Sequence, residues 1–141
     1  MSFSALGLSP ILIQKLTDLG YTQPYPIQEA AIPAIIAKKD VLGIAPTGSG
    51  KTASYVLPIL MNLQAAALEK DRNVNVLVLV PTRELAVQVA EVFKSLSEGL
   101  PQRIKTMAVF GGVSINPQMK ALQGINVLVA TPGRLLELVE S

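Results

Sequence analysis

The chain has 141 residues, enough for one domain around one hydrophobic core. Half of the residues are apolar and the mean hydropathy is +0.44, higher than expected of a self-contained soluble domain even allowing for parallel strands buried on both faces, which points to missing covering chain. Twelve basic against ten acidic residues leave a net charge of +2, too mild to argue for nucleic acid; the lack of Cys excludes disulfides and thiolate chemistry, and the lack of His excludes imidazole catalysis and His-ligated metal.

No apolar run approaches the roughly 18 residues of a membrane span, and the opening "MSFSALGLSP" has no basic region leading into an apolar signal core, so a cytoplasmic protein without membrane contact is predicted. Ser9-Pro10 reads as an N-cap and first helical residue, and Leu12, Leu16 and Leu19 carry a helix over 10–19 to a stop at Gly20. The prolines of "YTQPYPIQ" predict an extended stretch feeding a second helix over 26–37, strained or ended near Pro33. Four short apolar runs follow as strands, 41–45, 74–80, 106–110 and 127–130. Helical patterns at 51–68, 83–97, 117–122 and from Pro132 lie between and after them, and in the second of these Leu85, Val89, Val92, Phe93 and Leu96 share a face. The segments 69–73 and 98–103 read as surface loops. Strands alternating with helices predict an α/β fold with a mostly parallel sheet, a helical region over 1–37 and the sheet-bearing region over 38–141.

The stretch "APTGSGKT", 45–52, follows one of these strands and opens a helix, the setting of a phosphate-binding loop. Gly48 and Gly50 let backbone N–H groups approach phosphate oxygens, and the helix beginning at Lys51 adds unpaired N–H groups and the positive end of its dipole. Lys51 would reach the β- and γ-phosphates of a nucleotide, and Thr52 would offer its hydroxyl to Mg²⁺.

Two further strand-to-helix junctions repeat the pattern: "VPTREL" and "ATPGRL" each pass through a threonine to a cation in the first helical turn. On a parallel sheet all three junctions lie at the carboxyl edge, where ligands of open α/β sheets bind. Arg83 and Arg134 oppose the helix dipole there, and a bound anion supplies a reason for their positions; Thr82 and Thr131 as caps and Pro132 as a first helical residue supply the blander account. Gly111-Gly112 adds a fourth flexible junction. Repeated phosphates match repeated helix N-termini, so a nucleic acid backbone is the economical second ligand, gripped with little regard to sequence. No Phe or Tyr lies within the three threonine junctions, so base stacking is not expected there. Gln28 has a carboxamide that matches the N6 and N7 edge of adenine, and Phe3 an aromatic face for the ring, although a polar residue early in a helix is more often merely solvated.

Taken together the chain resembles the first RecA-like domain of a DEAD-box RNA helicase nearly end to end. Phe3 and, beginning seventeen residues later, "GYTQPYPIQ" resemble the Q motif; "APTGSGKT" resembles motif I, "PTRELAVQ" motif Ia, Gly111-Gly112 the GG element and "TPGR" motif Ib. Tyr25 stands where the family usually has Thr or Ser, and Pro46 where Gln or Glu is common. The resemblance implies ATP held through Phe3, Tyr21, Gln28, Ala45, Pro46, Thr47, Gly48, Ser49, Gly50, Lys51 and Thr52, with Lys51 and Thr52 serving catalysis and Thr52 meeting Mg²⁺. It implies RNA phosphates and riboses at Pro81, Thr82, Arg83, Gly112, Thr131, Pro132, Gly133 and Arg134, and a second RecA-like domain as partner.

The Asp-Glu-Ala-Asp motif of that family is not in the sequence, no Asp-Glu pair occurs, and none of the four predicted strands ends in an acid. A fragment that holds ATP and RNA without hydrolysing ATP is therefore expected, with an incomplete sheet, low stability and a tendency to associate by swapping. A phosphate-loop enzyme unrelated to nucleic acid, such as a small-molecule kinase, and a non-enzymatic interaction module are the alternative readings.

Overall fold

A computed structural model describes residues 2–66 and 74–140, in two compact units: Met1–Leu68 with Leu96–Gln102, and Glu69–Ser95 with Arg103–Ser141. This division does not follow the boundary at 37/38 drawn from the sequence. The loop expected at 69–73 lies outside the described residues, as does the far end of the helix expected over 51–68.

The first unit is helical. A 3₁₀ turn, Phe3–Leu6, precedes α1, Pro10–Asp18. Ser9 caps α1 by accepting the Leu12 N–H at 3.4 Å, Pro10 supplies the preset φ of the first helical position, and Gly20, at φ 87°, turns the chain out. Leu12 and Leu16 are fully buried as the spacing predicts, whereas Leu19, the third residue of that stripe, is the C-cap and is exposed. The second helix, α2, Pro26–Ile36, runs through Pro33 instead of ending there, with Ala31 and Ile32 buried just before it. Pro33 is exposed, so its ring lies on the outer side while packing of the inner side sustains the helix. Packed against α2 is α3, Lys51–Ala65, which buries Val56, Leu57 and Leu60, and Asn62 Nδ2 donates to Ile35 O at 3.0 Å. The stretch 98–103 is more than a surface loop: Gln102 Nε2 donates to the carbonyls of Gln64 (2.8 Å) and Ala66 (2.6 Å), groups left over at the end of α3.

The strand expected at 41–45 does not form. The stretch takes no regular secondary structure, with Leu42 87% and Ile44 85% exposed, and enters no ladder among the described residues. An apolar run specifies a strand only where neighbouring strands take up its N–H and C=O groups.

The second unit carries the sheet: β1, Val76–Leu79; α4, Arg83–Ser97, through Ser95; β2, Thr106–Val109; α5, Ile115–Ala121; β3, Val127–Ala130; and α6, Pro132–Glu140. The order is β1-β3-β2, all parallel, with Leu79, Ala130 and Val109 level across the three strands. The strand β3 is buried throughout, and Val109, Ile125, Leu128 and Ala130 form a core covered by Leu122, Leu135 and Leu138. Asn126 braces the amino edge, accepting from Lys105 N–H at 2.9 Å and donating to Asn75 Oδ1 at 3.1 Å. In α4 the buried face is Ala86, Val89, Ala90, Phe93 and Leu96; Leu85, expected on that face, is 39% exposed, one position out of phase. The α/β class holds, with three parallel strands among the described residues instead of four.

Candidate functional site

The phosphate loop lies in the first unit. Gly50 is the N-cap of α3 at φ 80°, a left-handed conformation that favours glycine. It has no side chain to cap the helix and no acid stands in the first turn, so the positive end of α3 carries no counter-charge from its own residues. Gly48 turns at φ 82° with open space around it, and Ser49 closes the turn, its hydroxyl donating to Pro46 O at 2.5 Å. Thr47 and Lys51 are exposed and Ala45 is half-buried. Thr52 is half-buried and hydrogen-bonded to the Tyr55 phenol; burial pushes the Tyr55 pKa up and the bond to Thr52 partly offsets that.

Gln28 is fully buried and tied to this loop. Its Oε1 accepts the Tyr25 N–H at 2.9 Å and its Nε2 donates to Gly50 O at 3.2 Å. A Cβ on Gly50 would lie 2.8 Å from Tyr25 Cδ2 and against the Gln28 amide nitrogen, so the cradle is closed from behind by these two residues. Tyr25 lacks the hydroxyl of a Thr or Ser cap, and its backbone does the capping instead, with Tyr25 O accepting from Gln28 N–H at 2.9 Å. Phe3 is 5% exposed and meets the Tyr21 ring edge-on, the centroids 6.4 Å apart. Tyr21 and Tyr25 also line a pocket of about 250 Å³ with Leu19, Gly20, Thr22 and Gln23.

The loop fits nucleotide phosphates: a glycine cradle, an uncapped helix start, one lysine and one threonine hydroxyl. For Mg²⁺ it offers Thr52, and no group of three or more His, Cys, Asp or Glu among the described residues is placed to hold a metal.

In the second unit the three strands end level, so residues 81–83, 111–113 and 131–134 emerge along one carboxyl edge. Thr82 caps α4, accepting from Leu85 N–H at 3.2 Å. Pro81, Thr82, Arg83, Gly112, Pro132 and Gly133 are exposed and Thr131 is half-exposed. The Arg83 guanidinium sits 4.9 Å from the centroid of the Phe110 ring, so an aromatic outside the three threonine junctions steadies a cation of this edge. Gly112, at φ 84°, lies beside Arg83, whose Nη1 would be 3.8 Å from an added Cβ.

Arg134 departs from its expected role as a free cation awaiting an anion. It is 7% exposed; Nη1 donates to Gln118 Oε1 at 2.9 Å, Nη2 donates to Val113 O at 2.9 Å, and Nε lies 3.5 Å from Glu137 Oε1, an ion pair without a hydrogen bond. Its position opposite the helix dipole is explained by these internal acceptors. Gln118, Phe110 and Tyr55 were missed by sequence reasoning. Gln118 reads as one more polar residue in a short helical stretch, and its spacing carries no sign that it is buried.

Residues 25–141 match the DEAD/DEAH box helicase family. The chain belongs to that family. Among its relatives, the ATP-dependent RNA helicase DeaD of Buchnera aphidicola subsp. Baizongia pistaciae is 49% identical over 138 residues, 97% of this chain and 22% of the relative. The protein of the same name in Escherichia coli K12 is 45% identical over 137 residues, 96% of this chain and 21% of the relative. The ATP-dependent rRNA helicase RRP3 of Lodderomyces elongisporus is 44% identical over 140 residues, 99% of this chain and 27% of the relative. The chain thus spans about a quarter or less of the curated relatives it matches. A crystal structure of a DEAD box protein from the hyperthermophile Methanococcus jannaschii superposes with a TM-score of 0.86 at 35% identity, over 99% of this chain and 37% of that one. The RecA-like α/β fold of this DEAD-box chain is therefore shown by sequence and structure together.

Proposed function

We propose that this DEAD-box chain is the ATP- and RNA-backbone-binding part of a cytoplasmic ATP-dependent RNA helicase, one that unwinds or remodels RNA when joined to a second RecA-like domain. The observation that carries the RNA half is the level carboxyl edge of the second unit, which presents Pro81, Thr82, Arg83, Gly112, Thr131, Pro132 and Gly133 together. Threonine hydroxyls, glycine N–H groups and one arginine suit phosphates and riboses and read no base. The ATP half rests on the cradle behind Gly50, with residues 1–37 meeting the adenine and 38–141 the phosphates.

In the bound state Lys51 would neutralise charge on the β- and γ-phosphates, and the N–H groups opening α3 would hold their oxygens. Mg²⁺, when bound, supplies charge neutralisation at those phosphates, with Thr52 as its protein contact. Phe3 and Tyr21, edge to face, would border the adenine, and Gln28, fully buried with its amide bonded to Tyr25 and Gly50, would have to be uncovered before its remaining amide hydrogen and lone pair could read the base. The ends of β1, β2 and β3 run into Val80, Phe110 and Thr131, so no carboxylate stands there to orient an attacking water. The 141 residues accordingly bind ATP without turning it over. The unladdered apolar segment 41–45 and the half-exposed Leu77 and Leu79 of β1 favour self-association of these residues through sheet pairing.

Two titrations test the reading: a fluorescent ATP analogue and a single-stranded RNA, each against wild type, Lys51→Ala and Arg83→Glu. Lys51→Ala should lose the nucleotide, and Arg83→Glu should lose RNA while keeping the nucleotide. RNA affinity indifferent to Arg83→Glu would return the chain to the nucleotide-only reading.

A further inference from the structure

The Gly111-Gly112 turn is fastened at both ends from within the second unit. On one side Phe110 O accepts from Gln118 Nε2 at 3.2 Å; on the other Val113 O accepts from Arg134 Nη2 at 2.9 Å. The two fasteners are themselves joined, Arg134 Nη1 donating to Gln118 Oε1 at 2.9 Å, and both side chains are more than nine-tenths buried. A glutamine is suited to the middle place because its amide donates with one end and accepts with the other, and arginine to the outer place because its planar fork serves two acceptors in fixed geometry. Phe110, held by its carbonyl, carries the Arg83 guanidinium on its ring. One relay, buried at Arg134 and Gln118 and reaching the surface at Arg83, thus runs from α6 through α5 to the end of β2 and on to the first turn of α4. It touches all three segments that the proposed RNA grip uses.

We propose that Gln118 and Arg134 are positioning residues for RNA binding: they fix the Gly111-Gly112 turn, and through Phe110 the Arg83 guanidinium, in the geometry that receives consecutive phosphates, while neither side chain touches the RNA. The inference rests on the RNA reading above. It changes what Arg134 is for, from a phosphate contact to a brace. Breaking one bond of a buried relay leaves a carbonyl or a guanidinium N–H unpaired, and the turn then relaxes to satisfy it at the expense of its shape.

The test is a titration of the full protein with a single-stranded polyuridylate, for wild type, Arg83→Glu, Gln118→Leu, Gln118→Glu, Arg134→Lys and the Gln118→Leu/Arg134→Lys double variant. Affinity for an ATP analogue and amide-exchange protection of Val127–Ala130 are followed alongside. The brace predicts that Gln118→Leu weakens RNA about tenfold, a hydrogen bond to a charged group converted to affinity. Arg134→Lys should weaken it similarly despite the retained charge, because an ammonium lacks the fork, and the double variant should be no worse than the poorer single one. Gln118→Glu keeps an acceptor for Arg134 and loses the donor to Phe110 O, so it should fall between wild type and Gln118→Leu. Nucleotide affinity should stay at the wild-type value throughout, and strand protection should persist, lowered by no more than the loss of overall stability. The brace is overturned if Gln118→Leu and Gln118→Glu bind RNA like wild type while Arg83→Glu does not, and equally if RNA binding and strand protection are lost together, which marks a purely structural role. Wild type failing to bind, or Arg83→Glu having no effect, would instead bring down the RNA reading and the brace with it.

Discussion

The phosphate loop of the first unit and the 131–134 junction of the second share a recipe: a small-residue turn at a helix start, a threonine, and a cation in the first turn. They use it in opposite ways. At Gly50 the helix start is left without a capping side chain, Lys51 is exposed, and the buried Gln28, with the exposed Tyr25 beside it, lies behind the turn and shapes it. At Thr131 the cation itself is the buried machinery, its guanidinium committed to Gln118, Val113 and Glu137. Arg83 lies between these cases, exposed like Lys51 but steadied on an aromatic face. A cation at a helix N-terminus is therefore evidence of an anion site only where the protein leaves its donors free.

The largest consequence is for stability at Arg134. Arg134→Met strands buried acceptors on Gln118 and Val113, and denaturant unfolding should show a loss of about 2–4 kcal/mol. Arg83→Met should cost at most about 1 kcal/mol, the worth of an exposed cation–π contact, in the same experiment. If the two arginines cost the same, the contrast between them is wrong. Next comes Lys51→Ala, which should weaken ATP about a hundredfold by titration with little change in melting temperature, as fits a side chain without a packing role. The two loop glycines should separate as well. Gly50→Ala forces a Cβ against Gln28 and Tyr25 at positive φ and should cost at least about 2 kcal/mol, whereas Gly48→Ala meets open space and should cost only the left-handed strain of about 1–2 kcal/mol. Calorimetry on the pair reads the difference.

The smallest expected effect is at Tyr55. Its folded pKa is raised above its unfolded value near 10.0, so its contribution to stability is complete below pH 10 and is lost as pH rises through the folded pKa. Tyr55→Phe should flatten that alkaline fall in melting temperature. It should also free the Thr52 hydroxyl, read as a modest change in the Mg²⁺ dependence of ATP binding.

Much of the fold was legible because local chemistry and packing agree. Ser9-Pro10 and Gly20 bracket α1, β3 coincides with its apolar run, and Thr82 caps α4. The failures lie where distant groups decide. At 41–45 the apolar pattern is that of a buried strand, but a strand needs a ladder, and the run cannot say whether one is present. At Pro33 the local rule lost to burial of Ala31 and Ile32. Within the site, the phosphate loop was readable as a string because glycines, lysine and threonine act where they stand. Arg134 was not, since its partners lie 16 and 21 residues away in sequence and come together only through the parallel sheet. Phe110 escaped notice for the same reason: the arginine it steadies belongs to another strand's end.

The central claim, an exposed phosphate grip at Arg83 on an edge separate in function from the nucleotide loop, is tested most directly by the salt dependence of RNA binding. The slope of log affinity against log salt for single-stranded RNA should fall by about 0.7 in Arg83→Ala relative to wild type, because one phosphate is no longer neutralised, while affinity for the ATP analogue is unchanged. An unchanged slope, or a nucleotide affinity that falls with the RNA affinity, would contradict it.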